Sequence, residues 1–288
     1  MDSRFNPREA TPDSEDIVSR YKALSASFRS QCSPLNRELD IVYGSDPRSR
    51  YDLFLPSGDP QSLIVFVHGG FWFSRDKGDF SFIAKAYVEL GSAVAILTYP
   101  KCPQIGLPDL MGCMSDGLNR LVRDLVSRFA MDSNQIALIG HSAGAHLVAN
   151  ATLHSRESAH LAQCVGLCIL VSGIYDTDLV CEMELNRLIG LRRDETAVTS
   201  LLKRPIELRS PRRSQFISVT GGREPVCWQK QVNAYVDRLV SESNLSVEAE
   251  VLAGHDHFTL LEALSNPSSE VGLLIDSLHL KSETSRLR

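Results

Sequence analysis

The chain carries eight short apolar runs, rich in β-branched and aliphatic residues, that are typical of β-strands. The runs are IVY (41–43), YDLFL (51–55), LIVFV (63–67), AVAIL (93–97), IALI (136–139), LCILV (167–171), QFISV (215–219) and VEAEVL (247–252). From the third run onward, most are separated by segments with helical periodicity, at about 78–90, 109–129, 143–154, 226–242 and 267–280. This alternation predicts an α/β protein with a mostly parallel, eight-stranded sheet and helices on both faces.

Three segments modify this pattern. Residues 13–29 predict an amphipathic N-terminal helix, and the short turn SDPRS between the first two runs predicts an antiparallel start to the sheet. Residues 173–210 are rich in charge and helix-like, and we interpret them as a small, cap-like helical insertion over one edge of the sheet. Because the chain has no internal repeat and no long linker, we predict one domain over residues 1–288.

Composition narrows the class of protein. Apolar residues make up 43% of the 288 residues, enough for one large core. The net charge of −5 gives no basic surface, so we expect neither nucleic acid nor a membrane as a partner. The polar, acidic N-terminus lacks the apolar stretch of a signal peptide, and we expect a cytoplasmic protein. Seven cysteines without paired spacing predict reduced, mostly packed thiols.

A candidate nucleophile stands where the fifth run meets a helical segment. Gly140, His141, Ser142, Ala143 and Gly144 form a G-x-S-x-G sequence between a predicted strand and a predicted helix. In that setting the serine occupies a strained turn, and the residues two positions away on each side must be small. The turn presents the hydroxyl above the sheet, so the sequence predicts Ser142 as a nucleophile.

A serine hydroxyl needs a base, and the base needs an orienting acid. On such a sheet both follow in later loops, the acid before the histidine. His257, where the last loop turns into a helical segment, is the preferred base, and His255 is the alternative. Glu224 is the preferred acid because it is the sole carboxylate in the loop after QFISV. Asp176 and Asp178, which follow LCILV, are the alternative acids.

The third run leads into a glycine-rich loop that begins His68, Gly69, Gly70. Glycines there allow backbone N–H groups to approach a ligand closely. Together with the N–H of Ala143, after the nucleophile, they predict an oxyanion hole, in which each donor is worth roughly 100- to 1000-fold in rate.

Histidines elsewhere do not indicate a metal. His68, His141, His146 and His160 lie on different predicted elements without the spacing of a ligand set, so we predict no metal site and no cofactor.

Taken together, these motifs resemble the α/β-hydrolases of the esterase and lipase kind. More specifically, HGGFW, TYPKCPQIGLPDLM, GHSAGAHL, VSGIYD and GHDHF, in this order, are similar to the kynurenine formamidases (arylformamidases) over about residues 40–280. The resemblance implies an α/β-hydrolase fold. It also implies a small-molecule substrate, N-formyl-L-kynurenine, hydrolysed to L-kynurenine and formate in tryptophan catabolism.

Position by position, the resemblance assigns roles already suggested by the motifs. Ser142 matches the nucleophile, His257 the base, and Gly69, Gly70 and Ala143 the oxyanion donors. Glu224 departs from the family, which more often has aspartate at that position, so the acid is the weakest match. A broad-specificity carboxylesterase with the same triad is the alternative function.

The implied substrate has a flat aromatic ring and an amino-acid end. Phe71, Trp72, Tyr175 and Phe258 are candidates for contact with the ring, although each also fits ordinary core packing. A charged residue of the 173–210 insertion could bind the amino-acid end. The oligomeric state stays open, and a homodimer would be unsurprising.

Overall fold

All eight predicted strands form one mixed sheet in the computed structural model, which describes residues 5–155, 161, 163–207, 214–243 and 245–275. The strands are β1 (Arg37–Val42), β2 (Arg50–Phe54), β3 (Ser62–Val67), β4 (Ser92–Thr98), β5 (Ile136–His141), β6 (Leu167–Val171), β7 (Gln215–Gly221) and β8 (Val247–Leu252). Their order is β1-β2-β4-β3-β5-β6-β7-β8. β2 pairs antiparallel with β1 and β4, and every other pairing is parallel, which confirms the predicted antiparallel start.

Helices cover both faces of the sheet. They are α1 (Pro7–Ala10), α2 (Ser14–Gln31), α3 (Ala84–Glu89), α4 (Leu107–Phe129), α5 (Ala143–Ala149), α6 (Thr177–Cys181), α7 (Asn186–Ile189), α8 (Thr196–Thr199), α9 (Val226–Glu242) and α10 (Thr259–Leu264). Residues 270–275 are also helical, and the predicted helix beyond residue 275 lies outside the described residues. Within the described ranges, no helix combines the length and hydrophobicity needed to cross a bilayer.

The sheet separates two apolar cores, and strand β3 shows why its sequence is continuously apolar. Leu63, Val65 and Val67 point into the core beneath α4, α5 and α9. Ile64 and Phe66 point into the opposite core, beneath α2, α3 and α10. All five side chains are fully buried, as expected for a parallel strand covered on both faces.

The N-terminal helix α2 is packed firmly beside the loop that follows β8. Ile17, Val18 and Tyr21 bury their side chains in the second core. The Tyr21 ring stacks on Phe82 at 4.9 Å between centroids, and its hydroxyl donates to the backbone carbonyl of Phe258. The predicted helix is therefore confirmed, and it braces the residues next to His257.

The predicted 173–210 insertion contains α6, α7 and α8, and its residues 208–210 lie outside the described residues. It leaves the sheet after β6, an interior strand. The carbonyl of Thr199 accepts a hydrogen bond from His146 on α5 (2.8 Å), and that of Leu201 accepts one from Arg238 on α9 (2.6 Å). The insertion therefore contacts helices α5 and α9, which cover one face of the sheet.

Candidate active site

Ser142 occupies the sharp turn between β5 and α5. β5 ends at His141 and α5 begins at Ala143, so Ser142 is the single residue between strand and helix. Its backbone has φ 55° and ψ −121°, a conformation that is unfavourable for a residue with a side chain. The Ser142 N–H donates to the carbonyl of Val171 at 2.8 Å and so ties the turn to the end of β6. The strained turn expected from G-x-S-x-G is present.

The two glycines of the motif are required by close backbone packing. A Cβ added to Gly144 would lie 2.1 Å from the carbonyl oxygen of Val67. A Cβ added to Gly140 would lie 2.6 Å from Cα of Ala145. Each distance is shorter than any non-bonded contact of a real Cβ, so a larger residue would force the turn apart.

Glu224 and His257 form a buried pair in the loops after β7 and β8. Oε1 of Glu224 lies 2.6 Å from Nδ1 of His257, and the two side chains are 0% and 6% exposed. The other oxygen, Oε2, accepts the backbone N–H of Gly221 at 2.9 Å. The carboxylate is thereby satisfied on both oxygens, as a buried charge requires.

Ser172 hydrogen-bonds to this pair, although nothing in the sequence singles it out. Its hydroxyl donates to Oε1 of Glu224 and lies 3.0 Å from Nδ1 of His257. The indole N–H of Trp228 donates to the same hydroxyl at 2.8 Å, and the indole ring packs edge-on against the imidazole of His257. Ser172 is fully buried with φ 51°. The quoted segment VSGIYD contains it, but a lone serine after a strand carries no chemical signal.

A cavity brings most of the predicted residues together. Its lining includes Ser142 and His257 together with Gly69, Gly70, Phe71 and Phe258. Gly69 lies directly against the nucleophile, because a Cβ added to it would be 2.8 Å from Cβ of Ser142. Ala143 is buried in the first turn of α5, next to the nucleophile.

Two predicted substrate contacts lie in the core instead. Trp72 is fully buried, with its ring edge-on to His146 at 5.1 Å between centroids. Tyr175 is fully buried and stacks on Tyr235 at 4.0 Å. Neither side chain lines the cavity, and the contacts that the structure gives both rings are those of core packing.

His68 supports the glycine loop from behind. Its ring stacks between Phe80 and Tyr99, and its Nδ1 donates to the carbonyl of Gly69 at 2.6 Å. Complete burial lowers the pKa of His68 to about 4, so the ring is neutral at pH 7. The residue packs the loop into place and does not face the cavity.

The alternative acids have other partners, and the alternative base lies outside the cavity. His255 is half-buried and does not line the cavity. Asp176 accepts the N–H of Asp178 at 3.0 Å and caps α6. Asp178 accepts from the Thr196 hydroxyl at 2.7 Å and pairs with Lys203. Both aspartates therefore serve the insertion, and Glu224 is the carboxylate that reaches the imidazole.

His141, the residue before the nucleophile, holds the backbone of the base. Its Nε2 donates to the carbonyl of His257 at 2.9 Å, and the two rings are 4.6 Å apart between centroids. Burial, and secondly the nearby charge of His257, hold the pKa of His141 well below its usual range. A neutral ring here keeps a second positive charge away from the catalytic imidazole.

Comparison with known proteins agrees with this geometry. A BD-FAE family model matches residues 51–173. Kynurenine formamidase from Danio rerio is 27% identical over 270 residues, which cover 91% of this chain and 88% of the relative. Isoprenylcysteine alpha-carbonyl methylesterase from Arabidopsis thaliana is 40% identical over 115 residues, which cover 39% of this chain and 27% of the relative. The crystal structure of a proposed thioesterase from Silicibacter sp. TM1040 has a TM-score of 0.74 at 26% identity, covering 91% of this chain and 93% of that one.

These matches confirm two predictions made from motifs. The resemblance to kynurenine formamidases extends over most of the chain. The α/β-hydrolase fold is confirmed by the strand order and by the similarity to solved structures.

Proposed function

We propose that this chain, a hydrolase of the α/β-hydrolase superfamily, cleaves the formamide of N-formyl-L-kynurenine into L-kynurenine and formate in tryptophan catabolism. The observation that carries the proposal is a single cavity lined by Ser142, His257 and the Gly69–Gly70 loop, with the buried carboxylate of Glu224 on the imidazole. The relative that shares nearly the whole length of the chain is a kynurenine formamidase, which favours this substrate.

The proposed reaction follows from these positions. Nδ1 of His257 faces Glu224, so Nε2 is the ring nitrogen that takes the hydroxyl proton as Oγ of Ser142 attacks the formyl carbon. The backbone N–H groups of Gly69, Gly70 and Ala143 stabilise the oxyanion of the tetrahedral intermediate. The C–N bond then breaks, and His257 gives its proton to the departing aryl amine.

Water completes the cycle. L-Kynurenine leaves, and His257 removes a proton from water as the water oxygen attacks the formyl carbon of the formyl-serine. The ester bond breaks, the proton returns to Ser142, and formate is released. Gly69 lies close to Ser142, and a formyl group, the smallest acyl group, suits such a narrow site.

A general carboxylesterase is the second candidate function. The local 40% identity to a methylesterase spans 115 residues, and an ester requires the same nucleophile, base and oxyanion donors. The two functions differ in the leaving group that the cavity accepts.

One experiment separates the two candidates. Kynurenine absorbance would follow hydrolysis of N-formyl-L-kynurenine, with 4-nitrophenyl acetate hydrolysed in parallel. We expect turnover of the formamide by the parent and its loss in Ser142→Ala, which also fails to label with a serine-reactive phosphonate. Ester hydrolysis without formamide turnover would assign the chain to the carboxylesterases.

A further inference from the structure

The wall of the cavity on the side of the glycine loop carries charged groups that the hydrolytic chemistry does not use. Arg8, Arg75 and Asp79 line this wall together with the apolar side chains of Val18 and Tyr21. Charged groups that are buried without a partner destabilise the folded protein. The partners of these three residues therefore have to be identified.

Arg75 is a charged residue whose side chain lies close to Gly70 of the glycine-rich loop. A Cβ added to Gly70 would lie 3.0 Å from Cγ of Arg75, so the arginine stem runs alongside the oxyanion loop. The backbone of Arg75 has φ 71°, and its carbonyl accepts a hydrogen bond from the ammonium group of Lys101. The loop therefore holds the stem in place, and Arg75 is part of the cavity lining.

The guanidinium of Arg75 is attracted by the carboxylates of Asp79 and Glu15 but is not in direct contact with either. In the part of the chain that the structure describes, it forms no hydrogen bond and no ion pair, although the side chain is half-buried. Arg8, by contrast, pairs with Glu15 at 3.5 Å. Asp79 lines the same wall, and one of its oxygens, Oδ2, accepts the backbone N–H of Asp76 at 3.3 Å.

The electrostatic setting points the same way. Burial, and secondly repulsion by Arg8, lower the pKa of Arg75, while the guanidinium stays charged at any pH in which the protein is folded. A half-desolvated guanidinium is a planar set of donors that matches the two oxygens of a carboxylate. An anionic group of the substrate would compensate the guanidinium for the favourable hydration that it loses by burial.

We propose that Arg75 binds the carboxylate of an amino-acid substrate and so selects zwitterionic aryl formamides over neutral acyl compounds. Asp79, on the same wall, supplies the negative charge that faces the α-ammonium group. This proposal rests on the proposed function for its choice of substrate. It also replaces the expectation that a charged residue of the insertion binds the amino-acid end, because Leu185, an apolar residue, is the part of the described insertion that lines the cavity.

The selectivity follows from the cost of an unpaired buried charge. A substrate that lacks the carboxylate must leave Arg75 partly desolvated without a partner, and a hydrogen bond to a charged group is worth roughly 10- to 100-fold in binding. A carboxylate anchor also places the formyl group reproducibly at Ser142, since it fixes the far end of the substrate.

The test compares two formamides that differ in one group. N-Formyl-L-kynurenine is compared with its decarboxylated analogue, which keeps the ring, the formamide and the ammonium group. We expect the ratio of their kcat/KM values to fall roughly 10- to 100-fold in Arg75→Gln, mostly through KM, with an intermediate ratio in Arg75→Lys. Arg20→Gln is the matched control, because Arg20 is an exposed arginine paired with Glu262 outside the cavity, and its ratio should equal that of the parent.

A second readout keeps this proposal separate from the proposed function. L-Kynurenine should inhibit hydrolysis of 4-nitrophenyl acetate by the parent, and its inhibition constant should rise at least about tenfold in Arg75→Gln. If the parent turns over neither formamide but this inhibition depends on Arg75, the carboxylate site stands and the formamidase proposal fails. An unchanged substrate ratio in folded Arg75→Gln and Arg75→Lys, or inhibition independent of Arg75, overturns the carboxylate site.

Discussion

The carboxylate of Glu224 lies 2.6 Å from Nδ1 of His257, and both side chains are buried. Each residue of the pair is also held by a further hydrogen bond. Glu224 accepts the N–H of Gly221, and the backbone carbonyl of His257 accepts a hydrogen bond from His141. The carboxylate therefore holds the imidazole in one orientation, which is the role expected of the acid in the proposed triad.

Replacement of this acid tests its role directly. We expect Glu224→Gln to lower kcat roughly 1000- to 10000-fold, because the neutral amide cannot stabilise an imidazolium. Asp176→Asn is the matched control, since asparagine can still cap α6 and should leave kcat within about threefold of the parent. Rates on 4-nitrophenyl acetate make the measurement independent of the physiological substrate. Equal losses in the two variants would return Asp176 to consideration as the acid.

Removal of the Ser172 hydroxyl should loosen the pair without removing it. Ser172→Ala deletes one hydrogen bond to Glu224 and leaves the indole N–H of Trp228 without its acceptor. We expect kcat to fall roughly 10- to 100-fold while KM stays within twofold, because the substrate does not touch this residue. A rise in KM, or a lower melting temperature with unchanged kcat, would show that Ser172 serves only the packing.

The turn that carries the nucleophile should not tolerate a single methyl group. Gly144→Ala places a Cβ 2.1 Å from the backbone of Val67, so we expect loss of phosphonate labelling at Ser142 and a lower melting temperature. Gly78→Ala is the matched control, because a Cβ there meets nothing within 4 Å. Normal labelling of a stably folded Gly144→Ala would mean that the turn can move aside at low cost.

Neighbouring aromatic residues in the glycine loop should give different phenotypes. Phe71 lines the cavity, so Phe71→Ala should raise KM for the aryl formamide about tenfold. Trp72 is buried, so Trp72→Ala should lower the free energy of unfolding by roughly 3–5 kcal/mol. Kinetics and urea denaturation of both variants provide the comparison, and a destabilised Phe71→Ala with unchanged KM would contradict it.

Buried histidines predict an acid limit to stability. Burial lowers the pKa of His68 and His146 to about 4 and that of His154 to about 3, whereas an unfolded histidine titrates near 6.5. Between these values the unfolded chain binds more protons. The free energy of unfolding should therefore be level above about pH 7 and fall as the pH drops towards 4, by up to about 1.4 kcal/mol per pH unit for each histidine.

Urea denaturation from pH 7.5 to 4.5 measures this slope. His154→Gln removes one of the three groups and should reduce the slope by about one proton. A variant slope equal to that of the parent would assign the acid sensitivity to other groups.

Local patterns in the sequence predicted the sheet and the turn at Ser142 because each depends on residues that are consecutive in the sequence. The strands needed only short apolar runs, and Ser142 only its two glycines. Ser172 and Arg75 escaped prediction because their surroundings come from loops distant in sequence, and a lone serine or arginine has no periodicity to detect. The sequence could not distinguish Phe71 from Trp72, since both have positive φ and the turn sends the Phe71 side chain to the cavity and the Trp72 side chain to the core.

The cavity wall formed by residues 6–8 and by α2 belongs to a stretch of chain that adds no strand to the sheet. In the proposed reaction the side chains that transfer protons, Ser142 and His257, both follow residue 140, whereas this part of the cavity wall lies at the other end of the chain. A directed library restricted to residues 6–25 can therefore vary one wall of the cavity while leaving Ser142, Glu224 and His257 in place.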